Sequence, residues 1–193
     1  DVAEDISYDE GKMTKAIDNL KCMDPDKVVQ PVDAQIRDTG EKFEIVSEVA
    51  GNALDPLKVK QVIANAMVTG QNQVTLEDEA CYLKPAVYST DEQLIRNCEQ
   101  MNQLSDVIIT YDFADRTETV DRSVIADWFN IDQNGDVYLD ETLVAKYVDA
   151  LGYKYDTFGK TRTFLTYDNR EITIEGGDYG WAIDQQAETK ALI

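Results

Sequence analysis

The residues best spaced to do chemistry lie between positions 130 and 141, where oxygen-bearing side chains surround a glycine. Aligned with an EF-hand loop, the segment has oxygen side chains at loop positions 1, 3 and 5, glycine at 6 and glutamate at 12. Ca²⁺ binds about six to eight oxygens, and the glycine lets the chain fold around the ion. A calcium site is therefore one hypothesis. Its candidate ligands are Asn130, Asp132, Asn134, Asp136 and Glu141.

The same segment has a second interpretation, as a β-hairpin followed by a helix cap. Loop position 1, which is normally aspartate in an EF-hand, is Asn130, so the charged ligand is missing there. Asn134-Gly135 is a strong signal for a hairpin turn, and Asp140 is a typical helix N-cap. The residues favour the hairpin and leave a calcium-binding interaction module as the alternative function.

Two aromatic residues towards the C-terminus, Tyr179 and Trp181, are candidates for sugar binding. An aromatic ring offers a broad apolar face on which a sugar ring can stack. A tryptophan beside a helix start also packs commonly into a core, and this alternative stays open. The preceding pair Gly176-Gly177 does not resemble a phosphate-binding loop, because no lysine follows it.

The sequence contains no histidine, which removes the usual general base and the commonest zinc ligand. The carboxylates are too many and too scattered to single out an acid–base pair, so a carboxylate-based hydrolase is the least favoured hypothesis. Cys22, Cys81 and Cys98 have neither disulfide-framework nor metal-site spacing, although one pairing among them stays open. We therefore expect no catalytic residue and no cofactor. Ca²⁺ would be bound only if the chain is the calcium-binding interaction module described above.

The overall charge narrows the choice of partner. The 193 residues include 18 basic and 38 acidic side chains, which gives a net charge of −20. Such a field repels nucleic acid and anionic lipid headgroups, so we expect neither as a partner. No apolar run approaches the roughly 18 residues that span a bilayer, so direct membrane contact is not expected either.

Periodic patterns predict an α+β fold in which antiparallel hairpins pack with amphipathic helices. Helices are expected at 11–21, 56–69, 92–104, 122–128, 141–151 and after Asp184. Strands are expected at 35–37, 42–47, 107–111 and 137–139 and in a hairpin near the C-terminus, and residues 73–88 are expected to be extended. Because these strands do not alternate regularly with helices, a parallel sheet is not expected.

An internal similarity appears when the sequence is shifted by 129 residues. The motif GNALD at 51–55 then falls on GWAID at 180–184, and each follows a predicted hairpin. In both, glycine permits a sharp exit from the hairpin and aspartate caps the next helix. The sequence predicts a two-fold hairpin–helix repeat, with halves at 27–105 and 106–193. Chance similarity between two common units is the alternative.

Two stretches carry a family resemblance. The C-terminal stretch reads FLTYDNREITIEGGDYGWAID at 164–184 and is preceded by KYDTFG at 154–159. Near the N-terminus stand PVDAQI at 31–36, FEIV at 43–46 and GNALD at 51–55. These segments resemble the peptidoglycan-binding accessory domain that precedes the catalytic domain in L,D-transpeptidases of Gram-positive bacteria. Related domains occur in VanW-type proteins.

This resemblance implies a non-catalytic, cell-wall-associated α+β region at 27–193, preceded by a helical segment at 1–26. It implies peptidoglycan and a downstream catalytic domain as partners, an extracellular location, and a membrane anchor ahead of residue 1. The family's transpeptidase uses a cysteine in a Ser/Thr-His-Gly-Cys context, which this sequence lacks, so the activity does not transfer. The expected function is a peptidoglycan-binding or spacer module, in which Tyr179 and Trp181 are the candidate binding residues.

Overall fold

The computed structural model describes residues 8–113 and 116–193. Residues 1–7 of the predicted segment 1–26 therefore lie outside the described part. The helices there are α1 (Glu10–Asp18), α2 (Pro56–Thr69), α3 (Glu92–Ser105), α4 (Arg122–Ile125), α5 (Glu141–Tyr155) and α6 (Gln185–Leu192). The strands are β1 (Gln35–Asp38), β2 (Phe43–Val46), β3 (Ile109–Asp112), β4 (Thr117–Val120), β5 (Phe129–Ile131), β6 (Val137–Leu139), β7 (Arg162–Leu165) and β8 (Glu171–Ile174). Single 3₁₀ turns cover Lys21–Met23 and Ala126–Trp128.

Each strand pairs with its neighbour in sequence, so the described residues form four two-stranded sheets. The pairs β3–β4, β5–β6 and β7–β8 are antiparallel. Helices occupy the sequence between the hairpins, and the predicted α+β class is confirmed. Over the ranges given above, no helix is both long enough and apolar enough to cross a membrane.

The chain folds into two compact units. Unit 1 comprises the described residues up to 37 together with 44–95, and unit 2 comprises 38–43 and 96–193. The division passes through the first hairpin and through α3. The halves 27–105 and 106–193 were predicted from the internal sequence similarity and are not the same as these two units. The two-fold repeat stays a prediction.

The core of unit 1 forms on the buried faces of α1 and α2. Met13 and Ile17 of α1 and Val59 of α2 are buried together with Leu54 and Cys81. The spacing of Met13 and Ile17 places both side chains on one helix face, as the sequence predicts. Helix packing therefore accounts for most of this core.

Helix α2 begins and ends at the predicted residues. The Asp55 side chain accepts the backbone N–H groups of Leu57 and Lys58 at 2.9 and 3.2 Å, which satisfies donors that the first helical turn leaves unpaired. Pro56 occupies the first turn, where its missing N–H costs nothing. Gly70 ends the helix in the left-handed conformation, with φ of 67°.

The core of unit 2 lies where β4, α4 and α5 meet. Val120, Ile125, Trp128 and Val144 are buried in one cluster, and Leu192 of α6 packs against it. Both α5 and α6 thus rest on this core, and the chain between them carries the β7–β8 hairpin and the bend at 176–184. The cluster therefore fixes both ends of the segment that carries the predicted sugar-binding residues.

Residues 73–88 were expected to be extended, and part of this segment differs from that expectation. Turns occupy 76–80, where Ala80 has φ of 52°, and pairing is limited to a bridge between Leu54 and Tyr82. The polar run at 77–79 places acidic residues on consecutive positions, so one face of a strand could not be buried. Strand β4 was not predicted, because three of its four residues are polar and show no apolar alternation.

The two motifs that suggest a repeat have similar local structures. Gly51 and Gly180 both have positive φ, at 69° and 122°, and each faces backbone of the segment that precedes its hairpin. Asp55 caps α2, and Asp184 caps α6 by accepting the N–H of Ala187. The duplication itself stays a prediction, because a glycine bend with a capped helix is also a common local unit.

Candidate peptidoglycan-binding site

The segment 130–141 folds as a β-hairpin followed by a helix cap, as its second sequence interpretation predicts. Gly135 has φ of 85° in the turn between β5 and β6. Asp140 accepts the backbone N–H of Thr142 at 2.9 Å and so caps α5. Glu141, the candidate calcium ligand at loop position 12, is the first residue of that helix.

The side chain of Asp132 binds backbone groups of the hairpin itself. Asp132 Oδ1 accepts the N–H groups of Asn134 and Asp136 at 2.8 and 2.9 Å, and the bond from Asp136 contributes most to lowering the pKa of Asp132. Asn130 donates to Asp140 at 3.4 Å. Within the described ranges, no group of three or more His, Cys, Asp or Glu residues is placed to hold a metal ion. The calcium alternative therefore stays a prediction without structural support.

Tyr179 and Trp181 line one cavity of about 560 Å³ in unit 2, here called the Trp181 groove. Tyr179 is 77% exposed and Trp181 is 40% exposed, so Trp181 is partly packed and partly available to a ligand. The side chains that give the groove its chemistry are those of Arg116, Arg162, Phe164, Asp178, Tyr179 and Trp181.

The loop that follows α5 fixes the backbone around Trp181. The N–H groups of Thr157 and Phe158 both donate to the carbonyl of Trp181, at 2.9 and 3.0 Å. Trp181 in turn donates its N–H to Oγ1 of Thr157 at 3.2 Å. A Cβ atom at Gly180 would lie 2.5 Å from the carbonyl oxygen of Thr157, so the bend approaches the loop this closely only with glycine.

Stacked aromatic rings hold the Trp181 side chain. The Phe113 ring stacks on Trp181 at a centroid distance of 5.4 Å and on Tyr155 at 4.3 Å. The Tyr155 hydroxyl donates to Glu118, which also accepts a bond from Lys154 Nζ at 2.7 Å. The bond from Lys154 is the main reason that the pKa of Glu118 is lowered. The indole therefore lies at the end of a supported stack.

Two arginines give the groove positive charge. Arg162 lies over the Tyr179 ring, with Cζ 4.8 Å from the ring centroid, and donates to the carbonyl of Thr157 at 3.3 Å. Arg116 lies 5.9 Å from the centroid of Tyr155. No carboxylate in the described part of the chain lies within ion-pair distance of Arg162.

Sequence reasoning identified the two exposed aromatics but missed Phe113, Arg116 and Arg162. These residues belong to β7 and to the two ends of the β3–β4 connection, and only folding brings them to the bend at 179–181. The one signal in the sequence that could have pointed to the two arginines is that basic residues are scarce in this chain. The chain has 18 basic and 38 acidic side chains, so a groove lined by two arginines differs from the rest of the sequence in its charge.

Comparison with known proteins places the chain in a family. The family model described as "Putative peptidoglycan binding domain" matches residues 2–75 and 88–193. No curated protein matches the chain.

Two similar solved structures are the Ldtfm-avibactam carbamoyl enzyme and a cysteine-to-serine mutant of the Enterococcus faecium L,D-transpeptidase. The first is 33% identical over 51% of this chain and 39% of that chain, with a TM-score of 0.43. The second is 34% identical over 53% and 39%, with a TM-score of 0.42. The chain thus spans well under half the length of either structure. Because the family model matches most of its residues, the chain belongs to the peptidoglycan-binding domain family, as the resemblance predicts.

Proposed function

We propose that this chain is a non-catalytic module that binds cell-wall peptidoglycan through the Trp181 groove. Family membership supports the ligand class. The lack of histidine in the sequence supports a binding role over a catalytic one, since the common nucleophile–base pairs need it.

The observation that carries the proposal is the rigid presentation of Trp181 beside the exposed Tyr179. Hydrogen bonds from the 157–158 backbone and stacking on Phe113 order the indole before any ligand binds. A pre-ordered aromatic face binds a sugar ring with a smaller entropic cost than a mobile one. The groove of about 560 Å³ has the size of a small-ligand site.

We also propose a setting for the module within a longer protein. It would lie outside the membrane of a Gram-positive cell, after an anchor segment and before an L,D-transpeptidase-like catalytic domain that it positions at the wall. This setting rests on the resemblance of 31–55 and 154–184. The residues encoded after Ile193 test it, because a Ser/Thr-His-Gly-Cys motif there would support it and an unrelated domain would contradict it.

Co-sedimentation with purified peptidoglycan tests the binding role. The variant Tyr179→Ala removes a ring that contributes little to packing, since most of its surface is exposed. We expect about fivefold weaker binding, the equivalent of roughly 1 kcal/mol for one lost aromatic contact.

The matched control is Tyr167→Ala, which removes another exposed tyrosine, in the β7–β8 turn and outside the lining of the Trp181 groove. This control should sediment like the parent chain. Equal binding by all three proteins would place the site elsewhere, and no sedimentation of the parent chain would reject peptidoglycan as the ligand.

A further inference from the structure

We infer that the Trp181 groove binds the peptide stem of peptidoglycan, and that it recognises a stem that carries both a carboxylate and a free amino group. The inference rests on the proposed function and specifies which part of the polymer is bound. It is carried by opposite charges that line one groove without pairing with each other. Arg162 and Asp178 both line the groove, and the structure gives no ion pair between them.

The guanidinium of Arg162 is positioned to bind a carboxylate. Its place over the Tyr179 ring and its bond to the carbonyl of Thr157 restrict the side chain. That bond uses one of several N–H groups, so donors remain for a ligand. A planar guanidinium binds a carboxylate through two parallel hydrogen bonds, which a hydroxyl group of a sugar cannot match in strength. Arg116 adds a second positive charge to the same groove.

Asp178 supplies the opposite charge. It precedes Tyr179 in the bend and is exposed, and no Lys or Arg side chain of the described residues lies within ion-pair distance of it. A purely anionic ligand would be repelled by this carboxylate, whereas an ammonium group would be attracted. A peptide stem that contains a diamino acid presents both charges on one short chain, and this complements the groove.

The surroundings of the groove direct the carboxylate to Arg162. A second cavity of about 510 Å³ also uses Trp181, but its charged side chains are Asp112, Asp184 and Glu188. The chain as a whole carries a net charge of −20. An anionic group is therefore repelled by the net charge of the chain and by the carboxylates of this second cavity, and Arg162 makes the Trp181 groove the favourable place for it.

Soluble wall fragments separate peptide recognition from glycan recognition. Muramidase digestion gives a disaccharide-peptide, and an amidase then removes the peptide to give the bare disaccharide. Calorimetry with both probes should show at least about tenfold tighter binding of the disaccharide-peptide to the parent chain, as expected for charge-assisted hydrogen bonds. N-acetylation of the stem amine should weaken binding to the parent chain and should leave Asp178→Asn unaffected.

Substitutions at Arg162 test whether its guanidinium binds the carboxylate of the peptide stem. Arg162→Gln should lose the preference for the disaccharide-peptide, and Arg162→Lys should recover part of it because the charge is kept. Arg170→Gln is the matched control, since it removes a guanidinium from the β7–β8 turn that pairs locally with Asp168. Circular dichroism of each variant checks that it is folded.

Two results separate the inference from the proposed function. If the parent chain sediments with peptidoglycan but binds both soluble probes equally, and Arg162→Gln changes nothing, peptide recognition is wrong and wall binding stands. If the parent chain does not sediment with peptidoglycan, the proposed function itself fails. Because the acetylated probe requires no substitution in the protein, the inference stays testable even if Arg162→Gln does not fold.

Discussion

At the scale of single residues, the candidate site depends on side chains that need not touch a ligand. Phe113 contacts both Trp181 and Tyr155 through its ring, and Glu118 fixes the Tyr155 hydroxyl. The exposed face of Trp181 is therefore held by packing on its other face. Residues of this kind affect binding by positioning the indole.

The substitution Phe113→Leu tests this positioning role. It removes stacking on three rings, those of Tyr111, Tyr155 and Trp181. The two closer pairs alone contribute about 0.5–1.5 kcal/mol each, so we expect the free energy of unfolding to fall by at least about 1–3 kcal/mol. The released indole should also show red-shifted emission. Urea unfolding and tryptophan fluorescence measure both effects.

Phe158→Leu is the control for that change, since its ring is 55% exposed and has no ring contact within the described residues. It should leave the emission of Trp181 unchanged. An unaltered emission spectrum for Phe113→Leu would show that the backbone alone orients the indole.

At the scale of elements, the bend between β8 and α6 decides where the aromatic face lies. Gly180 has φ of 122°, and its Cα faces the carbonyl of Thr157 too closely for a side chain. The loop at 156–158 and the bend are joined by backbone hydrogen bonds from Thr157 and Phe158 to the carbonyl of Trp181. The loop follows α5 and the bend precedes α6, so this contact, here called the joint, links the end of one helix to the start of the other.

Gly180→Ala should disrupt the joint. We expect destabilisation of at least about 1–3 kcal/mol, because alanine is strained at this φ and its Cβ would clash with the backbone. Thermal unfolding together with peptidoglycan sedimentation would detect the loss of both stability and binding.

Gly177→Ala provides the comparison in the same bend, since a Cβ there would meet no atom within 4 Å. Its unfolding temperature should stay close to that of the parent chain. Equal stability of the two variants would mean that the bend relaxes freely, contrary to the structure.

Local sequence rules predicted most of these elements but only part of the site. Asp55, Asp140 and Asp184 were identified as helix caps, and each accepts a backbone N–H of its helix. The side chain of a cap bonds to the backbone about two or three residues further on, so adjacent residues in the sequence are enough to predict it. Arg162 carried no comparable signal, because its role depends on the distant Tyr179 ring.

At the scale of the whole molecule, the acidic charge and the hydrogen-bonded aspartates have opposite effects on stability as the pH falls. The net charge of −20 at pH 7 opposes compaction through self-repulsion. Meanwhile, hydrogen bonds in the folded state lower the pKa of Asp121, mainly from Ser123, of Asp132, mainly from Asp136, and of Asp140, mainly from Thr142. A carboxyl whose pKa is lowered by folding stabilises the fold above its unfolded pKa and loses that effect as the pH falls through its folded pKa.

We therefore expect the unfolding temperature to stay nearly constant from pH 7 to about 5, since the chain has no histidine and carboxyl groups titrate below this range, and then to drop below about pH 4. Added salt should raise the unfolding temperature at pH 7, since it screens repulsion between exposed charges. Calorimetric scans across pH at low and high salt measure both effects. A profile without the drop at acid pH would contradict the contribution of these hydrogen-bonded aspartates.

The sequence by itself determined the hairpins, the caps, the glycine positions and the family, because each depends on residues that are adjacent or regularly spaced. It also excluded histidine chemistry, and its net charge of −20 makes nucleic acid an unfavourable partner. For the segment 130–141 the sequence favoured a hairpin but left a calcium loop as the alternative, and the tertiary structure shows the hairpin, with Asp132 accepting backbone N–H groups of its turn. Only the tertiary structure placed Arg162 and Phe113 around Trp181. The physical reason is that a groove is formed by non-local packing, in which residues far apart in the chain meet because separate helices bury their apolar faces on one core.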